Sequence, residues 1–261
     1  MTRFTRRRVL EAAVAAACLK PLQGLAQGNA GSSGCCILPD ARGMFASPSA
    51  GNRPRQKLSP TELLRTIDQR SGQPRSFNRD LGGVLVSMAR TFGERPGFGY
   101  YDDGRDLNAF ATSATAVDGT GGTIAFGRNL LSAQLKIDKK GISVAAICAH
   151  EFAHVLQFRT ALNLRLTERY PVYCRELHAD YLAGFYLYWF QEERGSDLQG
   201  VGRAWEDMGP SRFTEDATHG TAAMRLDCIQ QGYRDAYDFG SEGISDAAEE
   251  GFRYVARHVQ S

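Results

Sequence analysis

Two histidines four residues apart, His150 and His154, flank a glutamate in the run HEFAH. On a helix, residues i and i+4 share a face, so the two imidazoles can converge on one zinc ion. Glu151 borders that face, where its carboxylate reaches a water held by the cation. Zinc lowers the pKa of such a water and polarises a carbonyl, while the glutamate takes the proton and passes it to a leaving amine. The pattern reads as peptide-bond hydrolysis. The competing reading is a pair of core histidines with ordinary hydrogen-bond partners.

A metal site needs a third protein ligand, and the run CRELHAD supplies candidates. Glu176 and Asp180 are again four apart and share a face of an otherwise apolar segment. Two carboxylates there are costly unless paired or liganded. Glu176 on the metal, with Asp180 accepting a proton from the far nitrogen of a ligand histidine, satisfies both. Ion pairs with Arg165, Arg169 or Arg175 are the alternative. His178 lies about 200° around the helix from Glu176 and becomes a ligand only if Glu176 is not one.

His219 precedes a further helical stretch and can donate a hydrogen bond to an oxyanion; a cap or surface role is equally open. Arg225 can assist it or pair with a carboxylate. No other chemistry competes. DGTGGT lacks the Lys-Ser/Thr of a phosphate loop, no serine nucleophile elbow is present, and Cys148 sits in the apolar part of the HEFAH segment.

The elements that must position these residues follow from pattern. SPTELLRTIDQR opens with Ser59-Pro60 and has Glu62 three residues on, the signature of a capped helix. A second helix covers 79–92. The stretches 105–117 and 123–131 read as two strands of a hairpin or meander around DGTGG. Then come the HEFAH helix from Ile142 or Ser143, a break at Pro171, and an aromatic-rich helix ending at Gly195. Tyr181, Phe185, Tyr186, Tyr188, Trp189 and Phe190 make that helix apolar on too many sides for a surface position. Helices at 219–239 and 245–259 complete the order, the last with Ser245 or Asp246 as its cap.

The 261 residues are 43% hydrophobic, enough for one sizeable core. The start, TRRRVLEAAVAAACL, resembles a twin-arginine export signal, with an apolar run too short to span a bilayer and a small-residue cleavage site at Gly24 to Ala26. The expected organisation is a signal at 1–26, a Gly/Ser/Pro-rich tail or wrapped loop at 27–58 and one catalytic domain at 59–261. Without the signal, five basic side chains (Arg3, Arg6, Arg7, Arg8, Lys20) and one acidic (Glu11) are lost, so the formal charge moves from +2 to −2. Mixed charge with no basic stripe argues against nucleic acid as partner. Export implies an oxidising compartment, and five cysteines then remain: Cys35, Cys36, Cys148, Cys174 and Cys228. Cys174 with Cys228 is one conceivable bridge.

Together these blocks resemble the gluzincin zinc metallopeptidases, and most closely soluble periplasmic relatives of the CaaX prenyl peptidase and heat-shock membrane peptidase family. LNAFATSAT with GTIAFGRNLL, HEFAH with ELHAD, and THGTAAMRLDCI carry the likeness in the family's order, from Leu107 to Ile229. Gly220 stands where the family usually has proline. The resemblance implies an α+β zincin-like domain, mostly helical, with a small sheet beside the cleft. It implies Zn2+ on His150, His154 and Glu176, with Glu151 as general base, Asp180 orienting a ligand histidine and His219 near the oxyanion. It also implies a substrate-aligning strand at Asn108, Ala109, Phe110 and Ala111, or at 123–127. The expected activity is endopeptidase action on periplasmic peptides or misfolded proteins. The rival is a weakly active, zinc-containing chaperone or assembly protein that grips exposed peptide strands.

Overall fold

The computed structural model describes residues 71–105, 107–116, 119–194, 220–241 and 243–258, with the short stretches 45–46 and 57–58. The signal-like start, most of the tail, the capped helix expected from Ser59, and His219 lie outside the described residues. The two short stretches are strands β1 (Phe45–Ala46) and β2 (Lys57–Leu58), paired antiparallel.

Helix α1 (Arg75–Phe92) buries Leu81, Val84, Met88 and Phe92, one stripe at steps of three and four. It stops at Gly93, whose φ of 68° is the left-handed conformation that ends many helices. Three strands follow: β3 (Gly97–Tyr101), β4 (Ala109–Thr112) and β5 (Thr123–Gly127). The order in the sheet is β3-β5-β4, with β5 parallel to β3 and antiparallel to β4. The expected hairpin partners are thus real neighbours, but both strands are shorter than their patterns suggest. β3 was not expected from the sequence. GFGYY shows no polar alternation, because four of its five residues are buried.

The strand expected at 123–131 ends at Gly127 because helix α2 (Arg128–Ile137) begins there. Its cap comes from far upstream. The buried Asp103 carboxylate accepts from the backbone N–H of Asn129 (2.8 Å) and Leu130 (2.9 Å), and from that of Asn108 (3.2 Å). A carboxylate at this end also meets the positive pole of the helix dipole. Residue 127 has to be glycine, since a Cβ there would lie 2.1 Å from Asp103 Oδ2.

Helix α3 (Ile142–Arg159) contains HEFAH and is buried without interruption from Ile142 to Gln157. It is the central helix. Thr160 ends it, its hydroxyl donating to the Leu156 carbonyl at 2.8 Å, and a separate short helix α4 (Leu162–Arg169) follows. Helix α5 (Tyr173–Arg194) carries ELHAD and the aromatic stripe. Tyr181, Phe185 and Tyr186 have no exposed surface, so this is a core helix, as its composition suggests.

Helix α6 (Ala222–Phe239) is capped by Thr221, whose hydroxyl accepts from the Met224 N–H at 3.2 Å. It lies backbone to backbone against α5. A Cβ on Gly184 would come within 2.1 Å of the Ile229 carbonyl oxygen, and one on Gly232 within 1.8 Å of that of Tyr181. Helix α7 (Ile244–His258) covers the same region, with Gly251 on the Tyr181 ring. It starts one residue before the expected cap, so Ser245 and Asp246 fall in its first turn rather than ahead of it. Glu249 forms a two-pronged ion pair with Arg165 of α4.

The described residues are therefore mostly helical with a three-stranded sheet to one side, an α+β arrangement. None of their helices is long and apolar enough to cross a membrane. Cys148, Cys174 and Cys228 are buried free thiols, so the bridge considered for Cys174 and Cys228 is not formed.

Replacing Asp103 by alanine should cost about 2 kcal/mol or more, the loss of a charged cap with three acceptor bonds. The denaturant midpoint should fall with an unchanged slope. An unshifted midpoint would show that α2 does not depend on this cap.

Candidate metal centre

Helix α3 delivers His150 and His154 to one point, as the four-residue spacing requires. Their Nε2 atoms are 2.9 Å apart. Glu176 of α5 arrives opposite, its Oε2 3.3 Å from His150 Nε2 and 3.6 Å from His154 Nε2. All three side chains are buried, and their ligand atoms lie within 4.8 Å of one another. Glu176 Oε2 has no hydrogen-bond partner of adequate geometry. A buried carboxylate oxygen in that condition is costly unless a cation satisfies it. Two imidazole nitrogens and one carboxylate oxygen form a donor set that holds a divalent metal. Glu151, between the two histidines on α3, is completely buried.

The opposite nitrogen of each histidine is also held. His150 Nδ1 lies 2.8 Å from Asp180 Oδ1, where the ring N–H donates to the carboxylate. Asp180 is gripped in turn by Arg225 of α6, with Nε donating to Oδ2 at 2.5 Å and Nη2 to Oδ1 at 2.7 Å. On the other ligand, the His154 Nδ1–H donates to Gln157 Oε1 at 2.9 Å. Both rings are thereby set to point Nε2 at the spot they share with Glu176.

The charges follow from these contacts. Burial would raise the Glu176 carboxyl, but His154 and His150 outweigh it and hold the group well below the ordinary carboxylate range. Asp180 is also lowered, because Arg225 and His150 together exceed the cost of its burial. Burial alone would lower His150. Asp180 and Glu176 reverse this and push it up to about 9. His178 goes the other way, down to about 4, chiefly through burial.

The residues singled out in the sequence can now be placed, except His219, which lies outside the described residues. His150, His154 and Glu176 converge, and Asp180 stands behind His150. The ion pairs considered for the two carboxylates with Arg165, Arg169 or Arg175 are not the ones formed. Asp180 pairs with Arg225, and Arg165 pairs with Glu249. Arg225 is thus committed to a carboxylate. His178 turns away from the cluster, as its helical angle requires, toward Gln157 and the Ala248 carbonyl. Gln157 was missed. Its only signal is position, three residues after His154 on the same helix.

Asn108 sits just before β4 and its carbonyl accepts from the Gly127 N–H at 2.9 Å. Ala109, Phe110 and Ala111 form β4, with buried side chains, packed between β5 and the HEFAH helix. Since Asn108 is opposite Gly127 and bonded to it, antiparallel alternation turns the N–H and C=O of Ala109 and Ala111 away from β5. β4 is the outer strand of the three among the described residues, but Ala109 and Ala111 are buried there. The alternative strand, 123–127, is central and has both ladders filled. Gly220 stands where the family that the sequence resembles usually has proline. Its φ is 75°, which proline cannot adopt.

Compared with known protein families, curated proteins and solved structures, the chain matches none.

Two measurements check this centre. Purified protein should take up one divalent metal per chain, and Glu176→Ala should reduce occupancy at equal metal concentration by tenfold or more. Equal occupancy in the variant would remove Glu176 from the ligand set. The second test is thermodynamic. His150 is protonated below pH about 9 in the metal-free protein, and a ligand imidazole must be neutral. Metal uptake at pH 7 should therefore release a proton, and apparent affinity should rise with pH until about 9. Calorimetry in buffers of different ionisation heat reads this release directly. A heat independent of buffer would contradict it.

Proposed function

We propose that this chain is a zinc-dependent endopeptidase of the gluzincin type. The observation that carries the reading is the convergence of His150, His154 and Glu176 on one point, with Glu151 on the same helix between the two histidines. Two imidazole nitrogens and one carboxylate oxygen match the three protein ligands of catalytic zinc, whereas structural zinc sites are closed by four. Zinc, when bound, lowers the pKa of a coordinated water and polarises a carbonyl.

The chain's own residues supply the rest. Glu151 accepts the proton as water attacks the scissile carbonyl and returns it to the leaving amine. Asp180 and Gln157 keep both ligand rings in the tautomer that presents Nε2. By the resemblance, β4 aligns an extended substrate by strand addition once its edge, buried at Ala109 and Ala111, is uncovered, so recognition is by main chain. Such recognition suits unfolded segments, and the twin-arginine-like start makes peptides and misfolded proteins of the periplasm the substrate class.

Substituting Glu151 by glutamine keeps the size of the side chain and removes the base. Hydrolysis of an unfolded protein such as casein should fall by about 10²–10⁴-fold, with metal content unchanged. Retained hydrolysis in that variant would overturn the mechanism. Full metal loading without hydrolysis in the wild type would instead favour the peptide-gripping chaperone.

A further inference from the structure

Beyond the ligands, a single buried chain of hydrogen bonds leaves the centre and ends on the C-terminal helix. It runs from His154 Nδ1 to Gln157 Oε1, from Gln157 Nε2 to His178 Nδ1, and from His178 Nε2 to the Ala248 carbonyl of α7, each at 2.9 Å. Gln157 Nε2 also donates to the Arg175 carbonyl at 2.9 Å. Gln157 and His178 have no exposed surface, and His154 has 1%. Water cannot replace a lost partner anywhere along it.

Only one arrangement of hydrogens satisfies every atom. The Ala248 carbonyl can only accept, so His178 carries its hydrogen on Nε2 and accepts at Nδ1. Gln157 must then present its NH₂ to His178 and to the Arg175 carbonyl. Flipping the amide would set its oxygen against two acceptors. The remaining atom, Gln157 Oε1, can accept only from an N–H on His154 Nδ1. This leaves His154 Nε2 bare, as a metal ligand must be.

We propose that Gln157 and His178 are positioning residues for the metal centre, and that this chain couples metal binding to the docking of α7. The proposal rests on the reading of His150, His154 and Glu176 as a metal site, and is independent of whether the bound metal hydrolyses peptides. When α7 lifts, the Ala248 carbonyl withdraws and His178 loses the partner that fixes its tautomer. Gln157 can then turn over, and His154 no longer has to present Nε2. Reciprocity follows from linkage: whatever factor α7 docking adds to metal affinity, metal adds to α7 docking. His150 has its own brace, Asp180 with Arg225 of α6, so this coupling passes through His154 alone.

Amide hydrogen exchange on the full chain tests the proposal, with zinc alone as the probe and each variant compared with its own metal-free form. In the wild type, zinc should slow exchange across 244–258. In Gln157→Leu, zinc affinity should fall about tenfold or more, and exchange in 244–258 should no longer respond to zinc. His178→Phe fills similar space without a hydrogen bond, leaves Gln157 in place, and should also abolish the response in 244–258. General destabilisation shifts both forms of a variant and cannot mimic a lost difference. A zinc response of wild-type size in either variant, or unchanged zinc affinity in Gln157→Leu, overturns the proposal while leaving the metal site intact. Failure of the wild type to take up zinc overturns the metal site itself, and the proposal with it.

Discussion

The Asp180 carboxylate has no contact with water and is held between His150 of α3 and Arg225 of α6. An ionised carboxylate in such a place is tolerable only with its charge matched and its lone pairs filled. Three helices must therefore arrive together. α5 brings the acid, α6 the guanidinium and α3 the imidazole, and absence of one leaves a buried charge in the others. This constraint explains the close fit of α6 on α5. With Gly184 and Gly232 in backbone contact, Arg225 reaches Asp180 with two donors at 2.5 and 2.7 Å. A side chain at either glycine would push the helices apart by more than a hydrogen bond can stretch.

The centre and its two braces differ in chemistry. His150 is braced by a full charge, which is why its proton affinity is raised. His154 is braced by a neutral amide. The pair thus combines one strongly basic ring and one held by geometry. Glu176 faces both, and the two imidazoles lower its proton affinity, which keeps it anionic at the point where the three side chains meet.

Much of this centre was legible in the sequence because helical spacing is local. HEFAH and ELHAD each state an i, i+4 pair, and burial of the intervening apolar residues follows from their composition. What the sequence hid is non-local or featureless. The start of α2 depends on Asp103, whose partners Asn129 and Leu130 are more than twenty residues on, so RNLL read as a continuing strand. β3 was hidden because a strand buried along most of its length loses its polar alternation. Gln157 was hidden because one glutamine in an apolar helix has no pattern. Arg225 was open between two roles until α6 was seen against α5. Gly220 was recognisable as a departure, but only its positive φ explains why proline is excluded there.

The three described cysteines carry a consequence for the order of events in the life of the chain. Cys148, Cys174 and Cys228 are thiols without exposed surface, and burial pushes the proton affinity of each upward. Exchange with a disulfide requires a thiolate that can be reached. Once folded, the chain offers none from these positions; before folding, it offers three. Folding ahead of contact with an oxidant would therefore spare the protein wrong pairings that its native state has no means of undoing. The reverse order would trap sulfurs that the native helices need to keep apart.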